Sequence, residues 1–549
     1  MLYLLYLFVD LTYNNVIHKQ NSKLKLMQKY LVFTSILGLL FSCSSKDETI
    51  DKVLSPPIDS TSPMISVIGV SNGDVVEQNT TIDFSITDQD SEITSVIYMD
   101  NVEILSFAGK QFSLELDPFD YLNGTRTLTI ESFDSYGNSS TLTRAFELKK
   151  LLFVHSDTQL PEVLGNPDLE VYISINTLEG KLLDYRKIDG NQENRFYAPD
   201  AVDRQNIIAT MYLTYPDFPD RMSSFISFGN LSPGTTTISA NEVALRRPQF
   251  QKNNSFQLSM TDALETTNFK MKGQEFSLET SGSATGNFLA TINFDPDLDD
   301  EMFIYSKPSD ANALQDYRYI FIDNFTDGAI SFSDFNSSNG SAVLQFPEDL
   351  IDYRLTFHGY RNQSDYDEWK YTELFQELNP TSSTIEVPIF EEFQIYEKVI
   401  TANLNNNTNY IFRGKGLGET IIPDWVVTVN GDLVQTLGDY DHMQIAATFK
   451  GNPVESSVNR LSWTFSQKNT PQLSLPFESF EIPQEVNTRL QSLGILPSDA
   501  NQMETLSISL QQYEKNYDFV DGIFVGYGNS NYYGDQESMS FVIKDGINN

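Results

Sequence analysis

One thiol and four imidazoles are all that this chain of 549 residues holds of the side chains most used for nucleophilic and transition-metal chemistry. The thiol is Cys43, and the imidazoles are His18, His155, His358 and His442. A single cysteine excludes an intramolecular disulfide and any zinc site built on several thiolates. No HExxH and no CxxC occurs, so metal chemistry on nitrogen and sulfur ligands has no footing. A serine nucleophile would need His155, His358 or His442 as its base. None of them has a suggestive context, and no strand-to-helix GxSxG elbow is present. "SGSATG", residues 281–286, sits in a polar loop. The isolated histidines read as ordinary surface or half-buried groups.

Carboxylates are abundant, 75 against 36 Lys+Arg, for a net charge of −39. Two of them at the right separation could serve a glycosidase, but abundance alone guarantees pairs and carries no information. "DPDLDDE", residues 295–301, places Asp295, Asp297 and Asp299 in the alternation that opens a calcium loop. Asp300 then stands where such a loop needs glycine, and Ser306 where it needs a bidentate glutamate, so a plain acidic loop is expected. Trp369, Trp425, Trp463 and the 27 tyrosines could offer rings to a sugar. The loops "GYRNQSDYDEW" (359–369) and "NSNYYGD" (529–535) look exposed, although aromatic side chains in β-proteins usually pack in cores. No catalytic residue, metal site or cofactor is assigned, and the chain reads as a non-enzyme. Its acidity repels nucleic acid, which is excluded as a partner.

Cys43 has a different context. It ends "KLKLMQKYLVFTSILGLLFSC", residues 23–43, where three lysines precede an apolar run from Tyr30 to Leu40. That run is too short to span a bilayer but fits a signal peptide. Leu40-Phe41-Ser42-Cys43 resembles the bacterial lipobox, with Phe41 in place of the usual small residue. The resemblance implies that the Cys43 sulfur receives a diacylglycerol, that cleavage precedes Cys43, and that the new N-terminus is acylated, as with palmitate. The acidic "KDE" that follows resembles the surface-export signal of Bacteroidota lipoproteins. It implies an outer-membrane, lipid-anchored protein exposed at the cell surface. Residues 1–26 fit poorly, and a start at Met27 gives a compact signal peptide. Residues 1–42 are thus the signal region, and 43–62, polar and proline-containing, a flexible tether.

What must position any site is β structure. In residues 63–148 short alternating runs recur between turn signals: "TIDFSIT" puts Ile82, Phe84 and Ile86 on one face, and "QFSLEL" does so with Phe112, Leu114 and Leu116. Pro63, "NGDVV" (72–76), "ITSVIYMDN" (93–101), "YLNGTRTLTIESFD" (121–134) and "YGN" (136–138) resemble bacterial Ig-like domains of cell-surface proteins. In that resemblance Tyr121 takes a structural, tyrosine-corner role. Further β-sections follow at 151–255, 261–390 and 391–549, the last with a short helix near 484–493 in "IPQEVNTRLQSLG" and a hairpin at Asn430-Gly431-Asp432. "SDYDEWKYTELFQEL", 364–378, fits helix or strand. The expected fold class is all-β and multidomain, an Ig-like β-sandwich followed by two or three sandwich-like domains. The expected function is a lipid-anchored surface binding or adhesion protein, whose Ig-like stalk presents β-domains to a glycan or protein. One alternative, a carbohydrate-capture lipoprotein beside an outer-membrane transporter, comes from similarity of architecture to lipoproteins of starch-utilisation systems. A surface hydrolase is the other.

Overall fold

The computed structural model describes residues 59–543 apart from breaks at 158–169, 189–191, 215–222, 235–236, 239–253, 274–282, 295–300, 308–313, 315–316, 324, 348–349, 351–352, 368–369, 381, 406, 450–460, 493–502 and 514–535. Two compact units divide at Thr61 and Ser62. Of the first, only residues 59–61 are described, where Asp59 accepts a bond from the Thr61 backbone N–H at 2.9 Å. Cys43, the triad Asp295, Asp297 and Asp299, Trp369 and the loop 529–535 all lie outside the described residues.

The second unit is all-β and multidomain. Its first module is a sandwich. Strands Met64–Ile68, Thr80–Thr87 and Gln111–Leu116 make one sheet. The other takes Val75–Val76, Ser139–Leu148, Gly124–Asp134, Ile93–Met99 and Val102–Ala108 in that order. Alternation does here what pleating requires: Ile82 and Phe84 point inward against Ile97, Leu128, Ile130 and Phe146, Ile86 is buried in the same alternation, and Asp83 and Thr87 face water. Tyr121 packs half-buried against that core.

The chain leaves this sandwich through a polar joint. Lys150 is buried, and its ammonium donates to the carbonyl of Asp200. Asn123 donates to the Ala198 carbonyl at 2.8 Å and accepts from the Lys150 backbone at 3.1 Å. Arg204 reaches back to Asp117 at 2.7 Å and Asn79 at 3.0 Å, with its guanidinium 4.8 Å from the Phe119 ring.

Beyond the joint a single mixed sheet of 12 strands organises the molecule. From one edge to the other it runs 182–187, 170–177, 207–214, 223–231, 461–468, 442–449, 503–513, 536–542, 408–415, 395–405, 353–360 and 372–378. Strands from all three sequence sections, 151–255, 261–390 and 391–549, therefore lie side by side in it. Every pairing is antiparallel except that of Ser223–Leu231 with Leu461–Lys468, where distant segments meet in parallel. Smaller sheets cover it. Strands 192–197, 151–157 and 237–238 enclose the core of Phe153, Ile173, Phe196 and Met211. A second and larger core runs from Tyr212 and Trp463 through Ile508 and Tyr410 to Phe357 and Phe303.

The helix expected near 484–493 is Gln484–Ser492, with Val486 and Leu490 fully buried and Glu485 in its first turn. The segment 364–378 is both things in turn, a short helix at Gln363–Asp367 and then the edge strand Thr372–Leu378. Asn430 pairs with Leu433, so Gly431-Asp432 is a two-residue hairpin loop, with Gly431 at φ +62°.

Candidate functional site

Two polar places in the 12-stranded sheet call for explanation, and their chemistry is opposite.

The first is centred on Glu397 in strand Ile395–Asn405, which is fully buried. It is flanked by Tyr353–Tyr360 on one side and Thr408–Lys415 on the other. His358 Nδ1 lies 3.0 Å from Glu397 Oε2, and the Tyr360 hydroxyl donates to the same oxygen at 2.7 Å. Arg413 donates through Nε at 2.7 Å and Nη2 at 3.0 Å. Tyr371 stacks on the His358 ring at 4.0 Å. Burial by itself would raise the Glu397 pKa, but the His358 and Arg413 bonds and the Arg413 charge outweigh it and hold the carboxyl at about 2. Burial, and then the Glu397 charge, push the Tyr360 phenol far above its ordinary range. Glu397 thus accepts four hydrogen bonds, three at Oε2 and one at Oε1, and ties three strands together from a fully buried position.

The second place is a cleft of about 480 Å³ at the ends of the parallel strands 223–231 and 461–468. That is within the ~300–1,000 Å³ usual for small-molecule sites. Trp463, Phe465 and Gln467 share one face of their strand by its two-residue period. Phe477 and Phe480 cover Trp463, at 4.9 and 4.8 Å between ring centroids, and Trp463 Nε1 donates to Ser227 at 2.7 Å. The aromatic cover ends before Gln467, and the cleft begins there. Gln467 is only 3% exposed and lines the cleft, yet no described residue is hydrogen-bonded to its side-chain amide. Ile208, Phe465, Leu475 and Pro476 supply apolar walls, and Glu179, Asn230, Gln472 and Ser474 polar ones.

The far wall is the loop 470–480, and it is tied down at both ends. The hydroxyls of Thr436 and Tyr440 donate to the Thr470 carbonyl at 2.8 and 2.9 Å. The Ser479 hydroxyl donates to the Glu179 carbonyl at 2.7 Å, and Asn176 Nδ2 bridges the carbonyls of Gly180 and Glu481, each at 2.9 Å. On the near wall Asn230 adopts φ +60°, and its Oδ1 accepts from Asn206 at 2.6 Å. The cleft is therefore held open by bonds that do not involve its own free amide.

The residues singled out from sequence fare unevenly. Trp425 and Trp463 are core residues, not sugar platforms: Trp425 is buried and donates to the Asp439 carbonyl at 2.9 Å. Tyr360 and Tyr366, expected in an exposed loop, are fully buried, with the Lys415 ammonium 3.8 Å from the Tyr366 ring. His155, His358 and His442 are buried as well, against the expectation of surface or half-buried groups. Burial lowers both His155 and His442 to about 4, with Gln511 partly opposing it at His442. His155 has no hydrogen-bond partner on either ring nitrogen among the described residues. The sequence offered no signal for Gln467, because an isolated glutamine carries no motif.

No family model matches the chain, and no curated protein matches it. Solved structures to which it is similar include the Bacillus anthracis TIE protein, at 8% identity over 66% of this chain and 74% of that one, TM-score 0.18. They include Clostridium thermocellum CbhA fibronectin(III)-like modules, at 11% identity over 31% of this chain and 94% of that one, TM-score 0.14. A third is the Bacteroides ovatus mixed-linkage glucan utilization locus SGBP-B in complex with a mixed-linkage heptasaccharide, at 12% identity over 64% and 93%, TM-score 0.13. At these TM-scores the likenesses carry no argument about this chain.

Proposed function

We propose that this chain is a lipid-anchored cell-surface binding protein that holds an extracellular ligand in the cleft at Gln467. The observation that carries the reading is the Gln467 amide, nearly buried, unpartnered among the described residues and lining an open cleft whose walls are fixed independently of it. A polar group left that way within a fold is costly, and a ligand supplies the missing bonds. Cys43, with its apolar run and acidic follow-on, supports attachment at the outer surface of the outer membrane. The joint of Lys150, Asn123 and Arg204 supports the first sandwich as a stalk of fixed orientation, since a buried ammonium and a bidentate amide do not slide freely. The reading contains no catalytic step: the one fully buried carboxylate among the described residues is held by four hydrogen bonds from its own sheet.

The test has two arms. Protease added to intact cells should degrade the protein, and Cys43→Ala should abolish labelling by a fatty-acid probe and remove the protein from that exposed pool. Cells displaying the full chain should be retained on at least one surface of a printed panel of extracellular proteins and polysaccharides, and Gln467→Leu should lower that retention. Labelling unchanged in Cys43→Ala overturns the anchor, and retention unchanged in Gln467→Leu overturns the cleft.

A further inference from the structure

The identity of the ligand can be narrowed, on the premise that the cleft is the binding site. We propose that it selects an uncharged, hydroxyl-rich ligand, a segment of a neutral oligosaccharide, with Gln467 as the specificity-determining residue and Gly229 as the residue that makes room for it.

The charge argument comes first. Among the described residues no lysine, arginine or histidine lines the cleft, and the chain carries −39 overall. An anionic ligand would meet no counter-charge at the site and repulsion on approach. A cationic one would find a single carboxylate residue, Glu179, at the exposed rim, and only a neutral amide at the buried end. Charge therefore does not select the ligand, and hydrogen-bond pattern does.

A carboxamide offers an acceptor and a donor side by side. Two neighbouring hydroxyl groups on a sugar ring each donate and accept, so they return both bonds at once. Asn230, whose Oδ1 is already taken by Asn206, still has its amide N–H groups to give at the same end of the cleft. Phe465 and Leu475 beside them present apolar surface to the C–H face of a ring. An extended peptide fits less well. Strand 223–231 is paired on both sides, by 207–214 and 461–468, and strand 461–468 is paired by 442–449 in turn, so the floor has no open backbone edge to extend.

Gly229 gives the second, independent observation. It lies inside strand Ser223–Leu231, where glycine weakens a strand. A Cβ there would stand 2.6 Å from Cζ of Phe465 and 3.1 Å from Oε1 of Gln467. Any side chain at 229 displaces both residues of the cleft floor. A strand interior that forgoes a side chain to keep those two in place is a site shaped for contact at the floor.

The test is a glycan array probed with the full chain in detergent, carrying neutral gluco-, xylo-, manno- and galacto-oligosaccharides beside uronic-acid-containing and sulfated glycans. The expected result is binding to neutral glycans, weakened at least tenfold by Gln467→Leu and by Gly229→Ala. Gln467→Glu, which keeps shape and changes the donor pattern, should weaken it too, with circular dichroism unchanged. Binding confined to anionic glycans, or no glycan bound at all, overturns this inference while leaving the cleft to the retention assay above. Neutral-glycan binding that none of the three variants weakens overturns the cleft as the site as well.

Discussion

Glu397 and Gln467 are both buried polar side chains in one sheet, and they teach opposite lessons. Glu397 has four hydrogen bonds from three side chains and a depressed pKa. Gln467 has no side-chain hydrogen bond to any described residue and borders open space. The first is what a fold does with a charge that it must bury: it surrounds it with hydrogen bonds. The second is what a fold does with a group meant for something else. Chemical type alone would rank them the other way, since a buried Glu-His-Arg-Tyr cluster looks more like an active centre than a lone glutamine does. Satisfaction of the groups, not their reactivity, separates scaffold from site.

The sharpest way to break this contrast is Glu397→Ala. It removes one partner of the mostly buried Glu397–Arg413 pair, a change that costs about 3–5 kcal/mol in buried pairs. Urea unfolding followed by fluorescence of Trp425 and Trp463, both in the large core, should show that loss. A loss below about 1 kcal/mol, the level of an exposed pair, would mean that the cluster is not the staple described here.

Acid should separate the same groups by pH. Glu397 is depressed from 4.5 to about 2, so the folded state binds its proton less readily than the unfolded one. Its contribution, about 3 kcal/mol, is present above pH 4.5 and is lost as the pH falls through 2. His155 and His442, lowered from 6.5 to about 4, act earlier. Protonation favours the unfolded chain, so stability is complete above pH 6.5 and declines toward pH 4. Two limbs are expected in the urea midpoint, one between pH 6.5 and 4 and a second below 4.5. Glu397→Gln should shrink the second and leave the first unchanged, the Asp90 carboxyl, also held low at about 2, keeping the remainder. A single limb that Glu397→Gln leaves intact would contradict the assignment.

Part of this was legible in advance, and the boundary between the parts is physical. The strands of the first sandwich are half-exposed, so Ile82, Phe84 and Ile86 alternate visibly with polar residues. The helix at 484–492 shows its apolar spacing, and the 430–433 hairpin its turn residues. The 12-stranded sheet was not legible, because its joins are non-local. Strand 207–214 is buried at every position, so its sequence has no alternation to read, and the parallel pairing of 223–231 with 461–468 spans more than two hundred residues. Trp463 and Tyr360 misled for a related reason: an aromatic among polar neighbours reads as exposed, until the layer that covers it is known. Gln467 and Gly229 become informative only when they are side by side.

The cleft side of the comparison is sharpened by a smaller effect. Because no described residue is hydrogen-bonded to the Gln467 side chain, Gln467→Leu removes an amide without a partner among them and should change stability by no more than about 1 kcal/mol in either direction. Glu397→Ala, in the same sheet, should cost several times that. Equal losses for the two would erase the distinction between them.

His155 supplies the last and finest comparison, since it shares features of both. Like Glu397 it is fully buried, and like Gln467 it lacks a hydrogen-bond partner, on both ring nitrogens. It is not among the described residues that line the cleft; it sits on strand Leu151–Asp157, paired with Asn194 and Ile238, beside the core of Phe153 and Phe196. If being unpaired marks function only where there is open space, His155 is a plain cost to the fold. His155→Leu should then leave binding intact and stabilise the chain at pH 7 by about 1 kcal/mol, the scale of a relieved unsatisfied group. It should also flatten part of the limb between pH 6.5 and 4, leaving the His442 share. A destabilised variant would show that the imidazole packs better than leucine there, and that burial without a partner is tolerated for its shape.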